Sequence, residues 1–128
     1  MPLVKISIRK NYSKNEKLRI NDIIHSSLIE SFKIPDHDYN HRIDEYDEEN
    51  FHIPHGKSDR YMIIEMAIFP GRSLDAKRTL YNLIASKLQE LKLSKSDLLI
   101  VLNEPEINNW GILGKPGSEI DLGFNTKV

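Results

Sequence analysis

The sequence contains no cysteine in its 128 residues. A disulfide framework, a thiolate metal site and a cysteine nucleophile are therefore excluded together. Long hydrophobic runs are missing as well: none approaches the roughly 18 residues a membrane helix requires, and the N-terminus lacks the apolar core of a secretory signal. A reducing cytoplasm is the expected location, and the sequon Asn11-Tyr12-Ser13 is read as chance. Charge of one sign is not in excess either, with 18 Lys and Arg against 19 Asp and Glu for a net charge of -1. No field draws the chain to nucleic acid or an anionic membrane, and neither is expected as a partner. With only 6 Gly and 6 Pro, disordered and collagen-like compositions do not fit. What is present is 39% apolar and 29% charged residues over the length of one ordinary domain, so residues 1–128 are read as a single globular unit.

Val4, Ile6 and Ile8 alternate with Lys5, Ser7 and Arg9, the period-two pattern of a strand with one buried face. Ser13 and Glu16 form a capping-box signature, and Ile20, Ile23, Ile24, Leu28 and Phe32 follow at helical spacing. A helix is predicted over 13–33, ending before Pro35. Residues 36–59 are polar, aromatic and turn-rich, with strand candidates around 39–46 and a turn at Pro54-His55-Gly56. Residues 60–69 read as a central strand bounded by Pro70-Gly71. Ser73 caps a second helix with Leu80, Tyr81, Ile84, Leu88 and Leu91 on one stripe, and Leu98 to Leu102 is a short buried strand.

The two halves superimpose. Ile6-Ser7-Ile8 lies 60 residues before Met66-Ala67-Ile68, and Ser13 lies 60 before Ser73; Phe32-Lys33-Ile34 lies 59 before Leu91-Lys92-Leu93, as Asp38 does before Asp97. The order of strand, loop, capped helix and acid thus occurs twice, which predicts an α/β (α+β) chain of two β-α-β units, about 1–60 and 61–128. Neither unit buries helix and sheet alone, so the expected architecture is one sheet with both helices on one face. The strand around 63–68 reads as apolar on both sides, and self-association is the expected cover for the other face.

Several residues invite chemistry. Removal of Met1 leaves Pro2 as an N-terminal secondary amine, whose pKa burial or a nearby cation lowers toward a value useful to a base; many chains nevertheless begin Met-Pro without consequence. Arg72 sits between a buried strand and the second helix, where a guanidinium can grip a carboxylate; a solvated loop arginine is the alternative. Asp36, His37, Asp38 and His41 have no metal-ligand spacing and read as a solvated turn, so no metal is expected. His25, His52 and His55 have no sequence-adjacent nucleophile, and each is expected at the surface. Gly111, Gly114 and Gly117 do not follow a phosphate-loop pattern. Trp110 either lines a pocket or plugs the core, with core as the default.

Met1-Pro2-Leu3-Val4-Lys5, Phe32-Lys33-Ile34-Pro35, the stretch from Ile64 through Phe69-Pro70-Gly71-Arg72-Ser73, and Asn109-Trp110-Gly111-Ile112 together resemble the tautomerase superfamily, in its longer-chain branch related to malonate semialdehyde decarboxylase. The resemblance covers nearly the whole chain. It implies a duplicated β-α-β fold, a homotrimer, no cofactor, Pro2 as catalytic base or acid, Asp38 and Arg72 as catalytic residues, Arg72 as the carboxylate anchor and Trp110 as a wall of the substrate pocket. The decarboxylase carries two arginines around the strand-end proline, whereas Pro70-Gly71-Arg72 supplies one. The expected activity is keto-enol tautomerisation of a small 2-keto acid by Pro2. Decarboxylation or hydration of malonate semialdehyde-like acids, and a non-catalytic trimeric binding protein, are the alternatives.

Overall fold

The computed structural model describes residues 2–128. Met1, whose removal the sequence leads us to expect, lies outside the described residues. Four strands form one sheet: β1 (Leu3–Arg9), β2 (Asn40–Tyr46), β3 (Met62–Ala67) and β4 (Leu98–Asn103), in the order β2-β1-β3-β4. β1 is parallel to β2 and antiparallel to β3, and β3 is parallel to β4. Helix α1 (Lys14–Phe32) joins the first pair and α2 (Leu74–Leu88) the second. The duplicated β-α-β fold is thus realised, with the two units meeting along β1 and β3.

Local chemistry sets the helix ends. The Ser13 hydroxyl accepts from the Glu16 N–H at 3.1 Å while the Glu16 carboxylate accepts from the Ser13 N–H at 2.9 Å, closing the capping box. Ser73 caps α2 through the Ala76 N–H at 3.1 Å. Lys33 ends α1 in the left-handed conformation, φ 57°, with its N–H on Ile29 O. The helix therefore stops one residue earlier than the sequence suggests, because Lys33 is the cap. Likewise α2 stops at Leu88, and the last turn of the predicted helix, Gln89–Leu91, tightens into a 3₁₀ turn before left-handed Lys92.

Both helices lie on one face of the sheet. Ile20, Ile23, Ile24, Leu28 and Phe32 of α1 and Leu80, Ile84 and Leu88 of α2 pack on Val4, Ile6 and Ile8 of β1 and Met62, Ile64 and Met66 of β3. These side chains are essentially inaccessible to water, and their apolar burial supplies the main driving force for the fold. The other face is more polar than the apolar reading of residues 63–68 implies: Leu3, Leu99 and Val101 are exposed there beside exposed Glu65 and a Lys5–Asp44 ion pair at 3.6 Å. Among the described residues no helix is long and apolar enough to cross a membrane.

After β4 the chain forms a two-stranded hairpin, β5 (Gly111–Ile112) with β6 (Lys115–Pro116), that the sequence does not announce. Residues 120–128 then return across the end of the sheet. The Ser73 N–H donates to a Val128 oxygen at 2.7 Å, and Phe124 packs 6.4 Å from the Phe69 ring. Gly71 is required where this segment crosses: its φ is 124°, and a Cβ there would lie 3.1 Å from Thr126 O.

Candidate active site

Strand directions bring the chemical residues together. Leu3 pairs with Asn40 on one side and with Ala67 on the other. Continuing the register by one residue sets Pro2 beside positions 39 and 68. Asp38 precedes β2, and Phe69 to Arg72 follow β3, so residues from three separate segments gather at one end of the sheet. Pro2 is buried there. Asp38 lines a cleft of about 410 Å³ together with Pro35, His37, Phe69, Ile112 and Phe124.

Arg72, which neighbours Phe69 and Phe124 of the cleft lining, is only 6% exposed. Its Nη1 donates to Phe69 O at 3.2 Å, while Nε and Nη2 are buried with no hydrogen-bond partner among the described residues. Nε and Nη2 are the two donors of one edge of the guanidinium plane, the edge that matches the two oxygens of a carboxylate. The rest of the group is wrapped in aromatic carbon, with its central carbon 5.0 Å from the Phe32 ring centre and 5.8 Å from that of Phe124. Burial pulls the Arg72 pKa down, opposed by the negative charges of Asp38 and Glu104. A buried donor pair without an acceptor costs about 1–3 kcal/mol per group, a cost that a planar anion would remove.

Trp110 stands behind this arrangement. Its ring centre is 4.6 Å from that of Phe69 at a steep angle, and its indole N–H donates to Pro105 O at 3.1 Å. It supports Phe69, which lines the cleft, and Phe124 from the returning C-terminal segment stands nearer the guanidinium. Sequence reasoning passed over Phe124 because it follows Gly123 in a Gly- and Asn-rich tail without periodicity.

The duplicated position at the opposite end of the sheet carries different chemistry, around a cavity of about 400 Å³ lined by Glu16, Arg60, Glu90, Leu91 and Lys92. Tyr12 occupies the place equivalent to Arg72, and its hydroxyl donates to Arg60 O at 2.6 Å while the Arg60 guanidinium lies 3.7 Å over its ring. Arg60 also donates to the Glu16 carboxylate at 2.6 Å, which with the Ser13 N–H holds the Glu16 pKa down to about 2. Asp97, the repeat partner of Asp38, accepts from the Ser58 N–H and hydroxyl, both at 2.8 Å. Burial alone would raise its pKa, but those bonds and Ser94 lower it. The two acids of the repeat have therefore diverged: Asp97 ties a loop, and Asp38 lines a cleft.

His25 is buried, contrary to its expected surface position. It stands seven residues before Phe32, two helical turns along the same side of α1, a spacing that does signal burial. Its ring centre is 4.3 Å from that of Tyr39, and Tyr39 stacks on His41 at 4.4 Å. Burial, then the charge of His25, pull the His41 pKa down to about 4. Folded His41 thus stays neutral where an unfolded histidine, with its pKa of about 6.5, takes up a proton. The unfolded chain binds more protons between pH 6.5 and 4, so this stability is present above pH 6.5 and is lost as pH falls toward 4, by at most about 1.4 kcal/mol per pH unit. Urea midpoints at pH 7 and 5 should fall further for the native protein than for His41→Phe; equal falls would remove His41 as the cause.

The sequence matches the profile of the tautomerase enzyme family over residues 38–113. A curated relative, "Probable tautomerase YusQ" of Bacillus subtilis (strain 168), is 28% identical over 116 residues, covering 86% of this chain and 91% of the relative. Among solved structures, FG41 malonate semialdehyde decarboxylase inhibited by 3-bromopropiolate superimposes with a TM-score of 0.77 at 23% identity, over 84% of this chain and 86% of that one. A fused 4-OT described as a symmetric trimer gives a TM-score of 0.79 at 15% identity, over 91% and 96%. These likenesses establish a common fold, and the profile match, spanning more than half the sequence, establishes the lineage: the chain belongs to the tautomerase enzyme family.

Proposed function

We propose that the protein is a tautomerase that moves a proton between the enol oxygen and C3 of a small 2-keto acid, with the Pro2 nitrogen as the proton carrier. The observation that carries this reading is the buried Arg72 edge, two cationic donors without an acceptor under aromatic cover. Such an edge suits a carboxylate on a small, flat, mostly apolar body.

In ketonisation the free amine of Pro2 takes the proton from the 2-hydroxyl as the O–H electrons form the C2=O bond. That proton is returned to C3 from the Pro2 ammonium in the same electron shift, the C2=C3 pair forming the new C3–H bond as C2=O forms. The proton count is unchanged and no redox partner is required. Arg72 holds the C1 carboxylate and stabilises the charge that develops on the adjacent 2-oxygen, an interaction stronger in the transition state than in the substrate. Asp38, in the turn before β2, orients the polar end of the substrate. The phenyl rings around Arg72 lower the local dielectric and strengthen these interactions. Trp110 keeps Phe69 in place as the wall of the pocket.

The assembly in this reading is a homotrimer. Exposed Leu3, Leu99 and Val101 on the helix-free face, and the trimeric description of the fused 4-OT, support it.

A panel of 2-keto acid enols, with their amide counterparts, tests the proposal through the decay of enol absorbance. Saturable acceleration is expected with the carboxylates and none with the amides, from a sample that sediments with the mass of three chains. No acceleration of any carboxylate enol would overturn the assignment, and a stable monomer at micromolar concentration would overturn the assembly.

A further inference from the structure

We propose that His25, outside the cleft, is a positioning residue that fixes the turn presenting Asp38. The inference rests on the tautomerase reading for its kinetic consequence and on the structure alone for its mechanical one.

The connection from α1 to β2 is short and carries much of the cleft lining: Pro35, His37 and Asp38 all face it. It is a turn closed by the Asp38 N–H on Pro35 O at 3.1 Å, followed by the Tyr39 N–H on His37 O at 3.1 Å. One turn hydrogen bond leaves the central peptide free to rotate. His25 supplies the second restraint. Its Nε2 lies 2.8 Å from Asp36 O, the carbonyl of the turn's second residue. A carbonyl only accepts, so Nε2 carries the hydrogen. Nδ1 is buried and has no donor among the described residues. The ring is thereby aimed at the turn.

The ring itself cannot swing away. It is 8% exposed within α1, with Tyr39 at 4.3 Å and His41 at 5.9 Å between ring centres. His41 is anchored in turn through Nδ1 on Asn21 Oδ1 of α1 at 3.3 Å. Two points of α1 therefore grip both sides of Asp38, one through Asp36 O and one through the Tyr39–His41 stack. A long helix packed on the core is a rigid reference, and Asp38 inherits its precision. The carboxylate anchor Arg72 is on another segment, after β3, and does not depend on this grip.

The consequence is a split between binding and turnover. His25→Leu keeps the buried volume but removes the donor. It should lower kcat for the best enol of the panel about 10- to 100-fold, the effect of a reacting group misplaced by about 1 Å, with KM changed less than about twofold because Arg72 still binds the acid. His25→Gln carries an amide N–H to similar reach and should recover most of kcat. Backbone hydrogen exchange supplies an arm that needs no catalysis: the Asp38 and Tyr39 amides should lose protection in His25→Leu and regain it in His25→Gln, with α1 unchanged. Should His25→Leu not fold, His25→Asn, whose amide stops short of Asp36 O, takes its place. Native kcat in the Leu variant, or unchanged protection of Asp38, would overturn the inference. Inactivity of the native protein on every enol would instead count against the tautomerase reading, and exchange at Asp38 would still decide the role of His25.

Discussion

Arg72→Met should abolish carboxylate-dependent turnover and at the same time raise the melting temperature. The two effects have one origin. In the resting structure the Nε and Nη2 donors of Arg72 are buried without acceptors, each costing about 1–3 kcal/mol, and a methionine of comparable length fills the aromatic slot without that cost. The single bond given up, from Nη1 to Phe69 O at 3.2 Å, offsets only part of the gain. In the substrate complex the same edge makes two charge-assisted bonds of about 1.5–3 kcal/mol each, so kcat/KM should fall by about 10²- to 10⁴-fold. Arg72→Lys should recover little, because a point charge does not reproduce the planar fork. Thermal melts and enol ketonisation on the same samples check both halves. A variant that loses stability in parallel with activity would identify Arg72 as a structural cation, and undiminished activity would remove it from the site.

The second large effect concerns Pro2. Its nitrogen is a base only as a free secondary amine; with Met1 attached it is an amide with no proton to exchange and no useful basicity. Intact mass should therefore show the active protein beginning at Pro2. Burial and the positive charge of Arg72 both disfavour the ammonium form and lower the amine pKa, while Asp38 acts in the opposite sense. With burial and Arg72 outweighing Asp38, kcat/KM should rise with pH through an apparent pKa below that of an unperturbed proline amine and then level near neutrality. Pro2→Ala keeps an amine but gives a primary one on a looser backbone. A loss of about 10²-fold in kcat/KM, the lower end of what a positioned proton carrier contributes, is expected with sedimentation unchanged. Activity that instead rises as pH falls would mark Pro2 as an acid and favour decarboxylation or hydration of a malonate semialdehyde-like substrate. Full activity of Pro2→Ala would leave the non-catalytic binding protein as the surviving alternative.

The strands and helices were legible because each carries a period: Val4, Ile6 and Ile8 for β1, and Ile20 through Phe32 for α1. The repeat was legible because Ser13 and Ser73 do the same capping job at the same offset. Periodicity does not reveal strand direction, however. Only the antiparallel pairing of β1 with β3 puts Arg72 at the Pro2 end of the sheet and Tyr12 at the other. His25 was misjudged because a histidine on a helix reads as polar, whereas its burial is set by Tyr39 and by the Asp36 carbonyl across a turn. Phe124 was missed for a similar reason: it reaches Arg72 through a return of the chain that no local pattern encodes. The apolar reading of the second sheet face neglected Glu65, since neighbouring Ile63, Ile64 and Met66 dominate the average.

In the tautomerase reading, the burial of the Arg72 edge makes substrate affinity a property of two equilibria. Since the Phe32 and Phe124 rings flank the Arg72 guanidinium and its donors are inaccessible in the resting structure, an anion in the tautomerase reading engages them only in molecules where this packing has opened. The measured dissociation constant is then the intrinsic one divided by the fraction of open molecules: an opening populated one time in a hundred weakens apparent binding by about a hundredfold, however well the fork fits. Selection for tighter or looser binding can thus act through the packing around Arg72 as well as through the fork itself.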